Sequence, residues 1–275
     1  MTRRSIVLVL FDTTEAEALI ARAADVALGF EAHLTALHPF NPVMLTVGAG
    51  VEPMIFQSML DWEETESKTI RAAFEEALRR NGLEGEFRAQ SGLYGSEAFL
   101  LGGVRAADFV LIGATAGRSP DDRVLAHRIV RQAGRPVLVL GPGAELKAPA
   151  TRIVIGWTET RESTRAAHDV LSLAAPGAEI TLVALHVHAD EVQPGLTGRE
   201  DLAVALDRAG FKVTTMDRPA AADERPETLV RLAREGNAEL LATGAFGHSQ
   251  IYDMLVGAVT RDLLDSAPLP ILLSC

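Results

Sequence analysis

"RVLAHRIVRQAGRPVLVL" (residues 123–140) and "GAVTRDLLDSAPLPILLS" (residues 257–274) decide the fold. Each begins with apolar residues at helical spacing, turns through small residues, reaches a proline and ends in a short apolar run with the length of a buried strand. Pro136 answers Pro270, Ile129 and Val130 answer Leu263 and Leu264, and Val137, Leu138 and Val139 answer Ile271, Leu272 and Leu273. A match at such a distance marks an internal repeat.

The correspondence extends outward. "AADFVLIGATAGRS" (residues 106–119) resembles "NAELLATGAFGHS" (residues 237–249), and "SIVLVLFDTTEAEALIARAADVAL" (residues 5–28) resembles "RIVIGWTETRESTRAAHDVLSL" (residues 152–173). His38 stands opposite His186. The Gly-, Pro- and Ala-rich "GPGAELKAPA" (residues 141–150) reads as the joint, which gives domains at 1–143 and 151–275. Each half alternates five strands with four helices. The strands are short and apolar on both faces, as in a parallel sheet covered on both sides. The expected fold is α/β: two tandem doubly wound, Rossmann-like domains, each with a five-stranded parallel sheet flanked by helices. The first half carries extra length over residues 39–62, expected as a loop. The last strand of each half would leave an exposed sheet edge, which pairing the two edges would cover.

The composition narrows the function. Of 275 residues, 48% are hydrophobic and 23% charged, and the formal net charge is -11. That balance disfavours nucleic acid or an anionic membrane as the main partner. The one cysteine, Cys275, rules out an intrachain disulfide and suits a reducing, cytoplasmic setting. The start "MTRRSIVLVLFDTTE" imitates a signal peptide, but its apolar run meets Asp12 too early. No apolar stretch reaches the roughly 18 residues of a membrane span.

"TGAFGHSQIYDMLVGAVTRDLL" (residues 243–264) holds Gly244, Gly247 and Gly257. In doubly wound sheets, ligands sit at the carboxyl ends of strands, near the point where strand order reverses. Gly244 follows a predicted strand and Gly257 opens a predicted helix. The N–H groups of Gly257, Ala258, Val259 and Thr260 would face outward at that helix start, ready for phosphate oxygens. The Thr260 hydroxyl could join them, and Ser249 could add another from the loop. The first half differs: Gly113 and Gly117 sit in a shorter loop, and Arg123 takes the place of Gly257. A side chain there is expected to fill the phosphate's space. There is no Walker Gly-Lys-[Ser/Thr] and no dinucleotide fingerprint after either first strand.

With its three-glycine spacing, G-x2-G-x9-G, the chain resembles the universal stress protein family in its tandem two-domain form. The resemblance covers essentially the whole length. It implies a site for ATP, ADP or AMP, with Mg2+ as an optional companion, and edge-to-edge pairing of units, here an intramolecular pseudo-dimer; a homodimer through another surface stays open. By the family pattern an Asp ending strand one reaches the adenosine. The first half has Asp12 near that place, and the second half is expected to have Thr158 instead. Val187 would offer main-chain bonds to adenine, and Phe246 would flank the ligand or pack over the sheet edge. The expectation is a nucleotide-binding stress or regulatory protein. The alternative is a scaffold that has lost its ligand.

Other clusters carry less. His186 and His188, with Asp190 or Glu191, have a spacing that suits a metal, although a structural role is the simpler reading. His248, Ser249 and Asp253 do not follow a nucleophile elbow. His127 and His168 lie on helical patterns. "DWEETESK" (residues 61–68) reads as a solvated helix face. No nucleophile or acid/base pair suggests an enzyme beyond slow ATP hydrolysis.

Overall fold

The computed structural model describes residues 4–40, 53–91, 95–146, 148–187, 198–246 and 258–275. The first half runs β1 (Ser5–Val9), α1 (Ala16–Gly29), β2 (His33–Phe40), α2 (Pro53–Asn81), β3 (Gly85–Ser91), α3 (Ser96–Val104), β4 (Phe109–Gly113), α4 (Pro120–Gln132) and β5 (Val137–Leu140). The second repeats it as β6 (Ala150–Trp157), α5 (Arg161–Asp169), β7 (Ala174–His186), α6 (Gly198–Arg208), β8 (Lys212–Pro219), α7 (Arg225–Glu235), β9 (Leu240–Gly244), α8 (Ala258–Ser266) and β10 (Ile271–Ser274).

The ten strands form one sheet, in the order β3-β2-β1-β4-β5-β10-β9-β6-β7-β8. Within each half all pairings are parallel. At the centre β5 meets β10 antiparallel, with Ile271 opposite Val139, Leu272 opposite Leu138 and Leu273 opposite Val137. The two runs that reveal the repeat in the sequence therefore lie side by side, and each removes the other's open edge. Residues 141–149 link the halves.

Alternate strand residues face opposite sides. Ile6, Leu8 and Leu10 enter one core with Ile153, Ile155 and Trp157, under α1, α2, α5 and α6. Val7, Val9 and Phe11 enter the other with α3, α4, α7 and α8 residues such as Ile129, Val130, Leu263 and Leu264. Both cores continue across the β5–β10 seam. A fully buried aliphatic side chain contributes about 1.5–3 kcal/mol, so the two layers hold the halves to one sheet.

Two expectations need correction. The extra length at 39–62 is not all loop: α2 begins at Pro53 and runs 29 residues, while 41–52 lie outside the described residues. "DWEETESK" is not wholly solvated either. Glu63 and Ser67 are buried, at 4% and 6% exposure, and burial raises the Glu63 carboxyl above its usual range, with Glu66 adding repulsion. Glu66 accepts from the Thr13 N–H and hydroxyl, each at 3.2 Å.

Candidate functional site

Strand order reverses between β6 and β9 in the second half, and between β1 and β4 in the first. The carboxyl ends of these pairs make two corresponding crevices.

In the second half, Gly244 ends β9 and α8 opens at Ala258. Gly247, Gly257, His248, Ser249 and Asp253 lie outside the described residues, as do His188, Asp190 and Glu191. The first turn of α8 carries no acidic side chain. Val259 is half-buried, and Thr260 is buried at 3% exposure. The Thr260 hydroxyl accepts from the Phe246 N–H at 3.4 Å, tying the two ends of the loop together. Phe246 has a φ of 66°. Its ring packs on the core, and the Arg131 guanidinium of α4 lies 6.0 Å from its centroid.

The structure also gives Gly244 a packing reason. A Cβ there would stand 2.6 Å from the Ser163 nitrogen and 2.7 Å from the Glu162 carbonyl carbon. The first turn of α5 therefore rests on the bare end of β9. That turn is capped by Thr160, whose hydroxyl accepts from the Ser163 N–H at 3.3 Å. Thr158 donates its N–H to the Ser163 hydroxyl at 3.0 Å, and its own hydroxyl lies 3.1 Å from that of Thr160. Val187, at the end of β7, is 44% exposed.

The sheet register corrects the expected counterpart of Asp12. Val9 pairs with Ile112 as Gly156 pairs with Thr243. Counting three residues on from Val9 and Gly156 makes Glu159, not Thr158, the equal of Asp12. Burial on the following helices agrees: Leu19, Ile20 and Ala23 correspond to Ala166, Ala167 and Val170, all buried. The second half thus keeps a carboxylate, one methylene longer. Glu159 accepts from the Trp157 indole N–H at 3.1 Å.

The first-half crevice is filled from within. Arg118 donates from Nε to the Ala114 carbonyl at 2.9 Å, from Nη1 to Asp12 at 3.1 Å and from Nη2 to Glu15 at 3.2 Å. Its side chain is 6% exposed, and the guanidinium lies 5.3 Å from the Phe11 ring centroid. A Cβ on Gly113 would come within 2.7 Å of Nη2. The start of α4 is also satisfied internally: Ser119 accepts from the Asp122 N–H at 3.1 Å, and Asp121 and Asp122 occupy the first turn.

Arg123 does not fill this crevice, contrary to expectation. It reaches across to the second half and pairs with Asp265 on α8 at 2.7 Å. Thr115 donates its hydroxyl to Asp265 at 2.5 Å, and the N–H groups of Thr115 and Ala116 cap the carbonyls of Leu264 and Asp265 at 3.0 and 3.1 Å. The first-half loop is thus a C-terminal cap for α8, a use that only the paired halves make visible.

His38 and His186, expected as counterparts, are not equivalent in the sheet: Leu37 pairs with Val9 as Val183 pairs with Gly156, so Ala184 answers His38. His38 is buried, its Nδ1 2.7 Å from the Leu10 carbonyl, and burial lowers its pKa below the usual histidine value. His186 lies 2.8 Å from Asp217 through Nε2, and Arg199 grips the same carboxylate at 2.8 and 3.0 Å. The Arg199 contacts, with help from His186, hold Asp217 below the usual carboxylate range despite burial. Among the described residues no group of His, Cys, Asp or Glu is arranged to hold a metal ion.

A doubly wound sheet with a helix opening at its reversal point defines the class of protein. Residues 149–274 match the model of the universal stress protein family. A curated relative, universal stress protein Slr1230 of Synechocystis, is 24% identical over 154 residues; the chain spans about half of that relative, 49% of its length and 53% of its own. A universal stress protein from Archaeoglobus fulgidus superposes with a TM-score of 0.67 at 13% identity, covering 98% of this chain and 95% of the other. A second, from Pseudomonas aeruginosa, gives 0.57 at 18% identity, covering 99% and 93%. Residues 149–274 are thus similar to a universal stress protein domain, and the first half repeats that fold in tandem.

Proposed function

We propose that the protein is a stress or regulatory protein that binds one adenine nucleotide, ATP, ADP or AMP, in its second half. One contrast carries the reading. At corresponding reversal points, α8 opens with no acid in its first turn, while α4 opens on Ser119, Asp121 and Asp122. Phosphate oxygens accept from unpaired N–H groups at a helix start, each charge-assisted bond contributing roughly 1.5–3 kcal/mol. The residues assigned to the ligand are Gly244, Gly247, Gly257, Ala258, Val259 and Thr260 for phosphate, and Thr158, Val187 and Phe246 for adenosine. Glu159, at the position of Asp12, joins the second group. The N-terminal domain, 1–143, supports the C-terminal domain, 151–275. The bound state would alter contacts with a partner, and any hydrolysis would be slow. No helix among the described residues is long and apolar enough to cross a membrane, and we assign the protein to the cytoplasm.

A second reading, a scaffold that has lost its ligand, is favoured by one observation: packing alone accounts for Gly244, and Phe246 and Thr260 already bond within the fold. Protein purified without added ligand and then denatured separates the two. Near-stoichiometric adenine nucleotide in the released fraction, read by mass spectrometry, supports the first reading. An empty fraction, from protein that also fails to take up added ATP, supports the scaffold.

A further inference from the structure

The first-half crevice is chemically the inverse of a phosphate cradle. It offers acceptors only: the Ala114 carbonyl, the Asp12 and Glu15 carboxylates and the face of Phe11. These surround a planar cation on three edges and one face. Guanidinium fits such a seat because its donors fork in a plane and its face stacks on an aromatic ring. Ammonium, a compact point charge, cannot meet the carbonyl and both carboxylates in the same geometry. We propose that the reversal-point crevice of the first half is a guanidinium seat, occupied by the protein's own Arg118, which closes this half to anionic ligands.

Three observations support it independently. Arg118 is a loop side chain, yet it is almost wholly buried, at 6% exposure. All three of its donor positions are engaged, which offsets the cost of burying the charge. Gly113 leaves the room: any larger residue would press on Nη2 at 2.7 Å. In the second half the sequence has His248, not arginine, before the serine that matches Ser119.

The test removes the occupant and returns its head group. In Arg118→Ala the melting temperature is expected to fall by roughly 5 °C or more, because two part-buried carboxylates lose their partner. Low-millimolar methylguanidinium should recover at least half of the loss, equimolar methylammonium should not, and wild type should respond to neither. Equal recovery with both cations, or no loss on substitution, overturns the seat. If Arg118→Ala does not fold, Arg118→Lys supplies the answer. It keeps the charge without the fork, so it should melt below wild type, and wild-type stability in that variant overturns the proposal. A last arm measures ATP per chain in Arg118→Ala. Gain of a nucleotide site would show that the crevice lacked only space, against an acceptor-lined seat. The thermal arms need no nucleotide, so they stand even if the second half proves empty.

Discussion

At the ends of β1 and β4, Asp12 and Glu15 face a buried guanidinium, and the next helix starts on its own serine and two aspartates. At the ends of β6 and β9, Glu159 faces an indole N–H, and the next helix starts without an acid. The strand order corresponds and the sheet is shared, so the fold does not dictate what lies in the crevice. The side chains that follow each fourth strand do. In the first half those side chains turn inward, as Arg118, or across to the other half, as Thr115 and Arg123. The first-half loop serves as a plug and a cap.

The sharpest way to break the comparison is to make the second half like the first. Gly257→Arg places a long side chain at the start of the candidate cradle, and ATP affinity should fall by at least about tenfold, some 1.4 kcal/mol, in an equilibrium titration. Unchanged affinity would move the cradle elsewhere. Gly244→Ala probes packing. The added Cβ meets the backbone of α5 at 2.6 Å, and chemical denaturation should show a loss of about 1–3 kcal/mol, with or without nucleotide. Asp265→Ala removes the acceptor for Arg123 and Thr115 at the seam. The expected cost is about 1–2 kcal/mol, with faster amide exchange in α8. If exchange in α8 does not change, the cap is ornamental.

The smallest effect is in pH. Burial lowers the pKa of His38 in the first half and of His127 at the seam. Their unfolded forms take up protons near the ordinary value of 6.5, while the folded forms resist. Stability is therefore full above that value and declines as pH falls below it, by no more than about 1.4 kcal/mol per pH unit for each histidine. Denaturation curves of His38→Asn with His127→Gln should be flatter over that window than those of wild type.

The repeat, the strand and helix order and the central β5–β10 edge were legible in the sequence because each rests on local periodicity and on the cost of an open edge. The crevices were less so. The family pattern leads to Thr158 as the counterpart of Asp12, whereas strand register and the aligned repeats lead to Glu159; α5 begins two positions earlier than α1 on that register, which blurs the count. Nothing local marks Arg118 in the sequence, because its burial depends on Asp12 and Glu15, more than 100 positions away. Arg123 read as a plug because its partner, Asp265, belongs to the other half.

Calorimetric titration of the intact chain with ATP is the decisive measurement. Saturation is expected at one nucleotide per chain, and at no more than one when Arg118 is replaced by alanine. Two nucleotides per wild-type chain, or no heat change at high micromolar ATP, would contradict it.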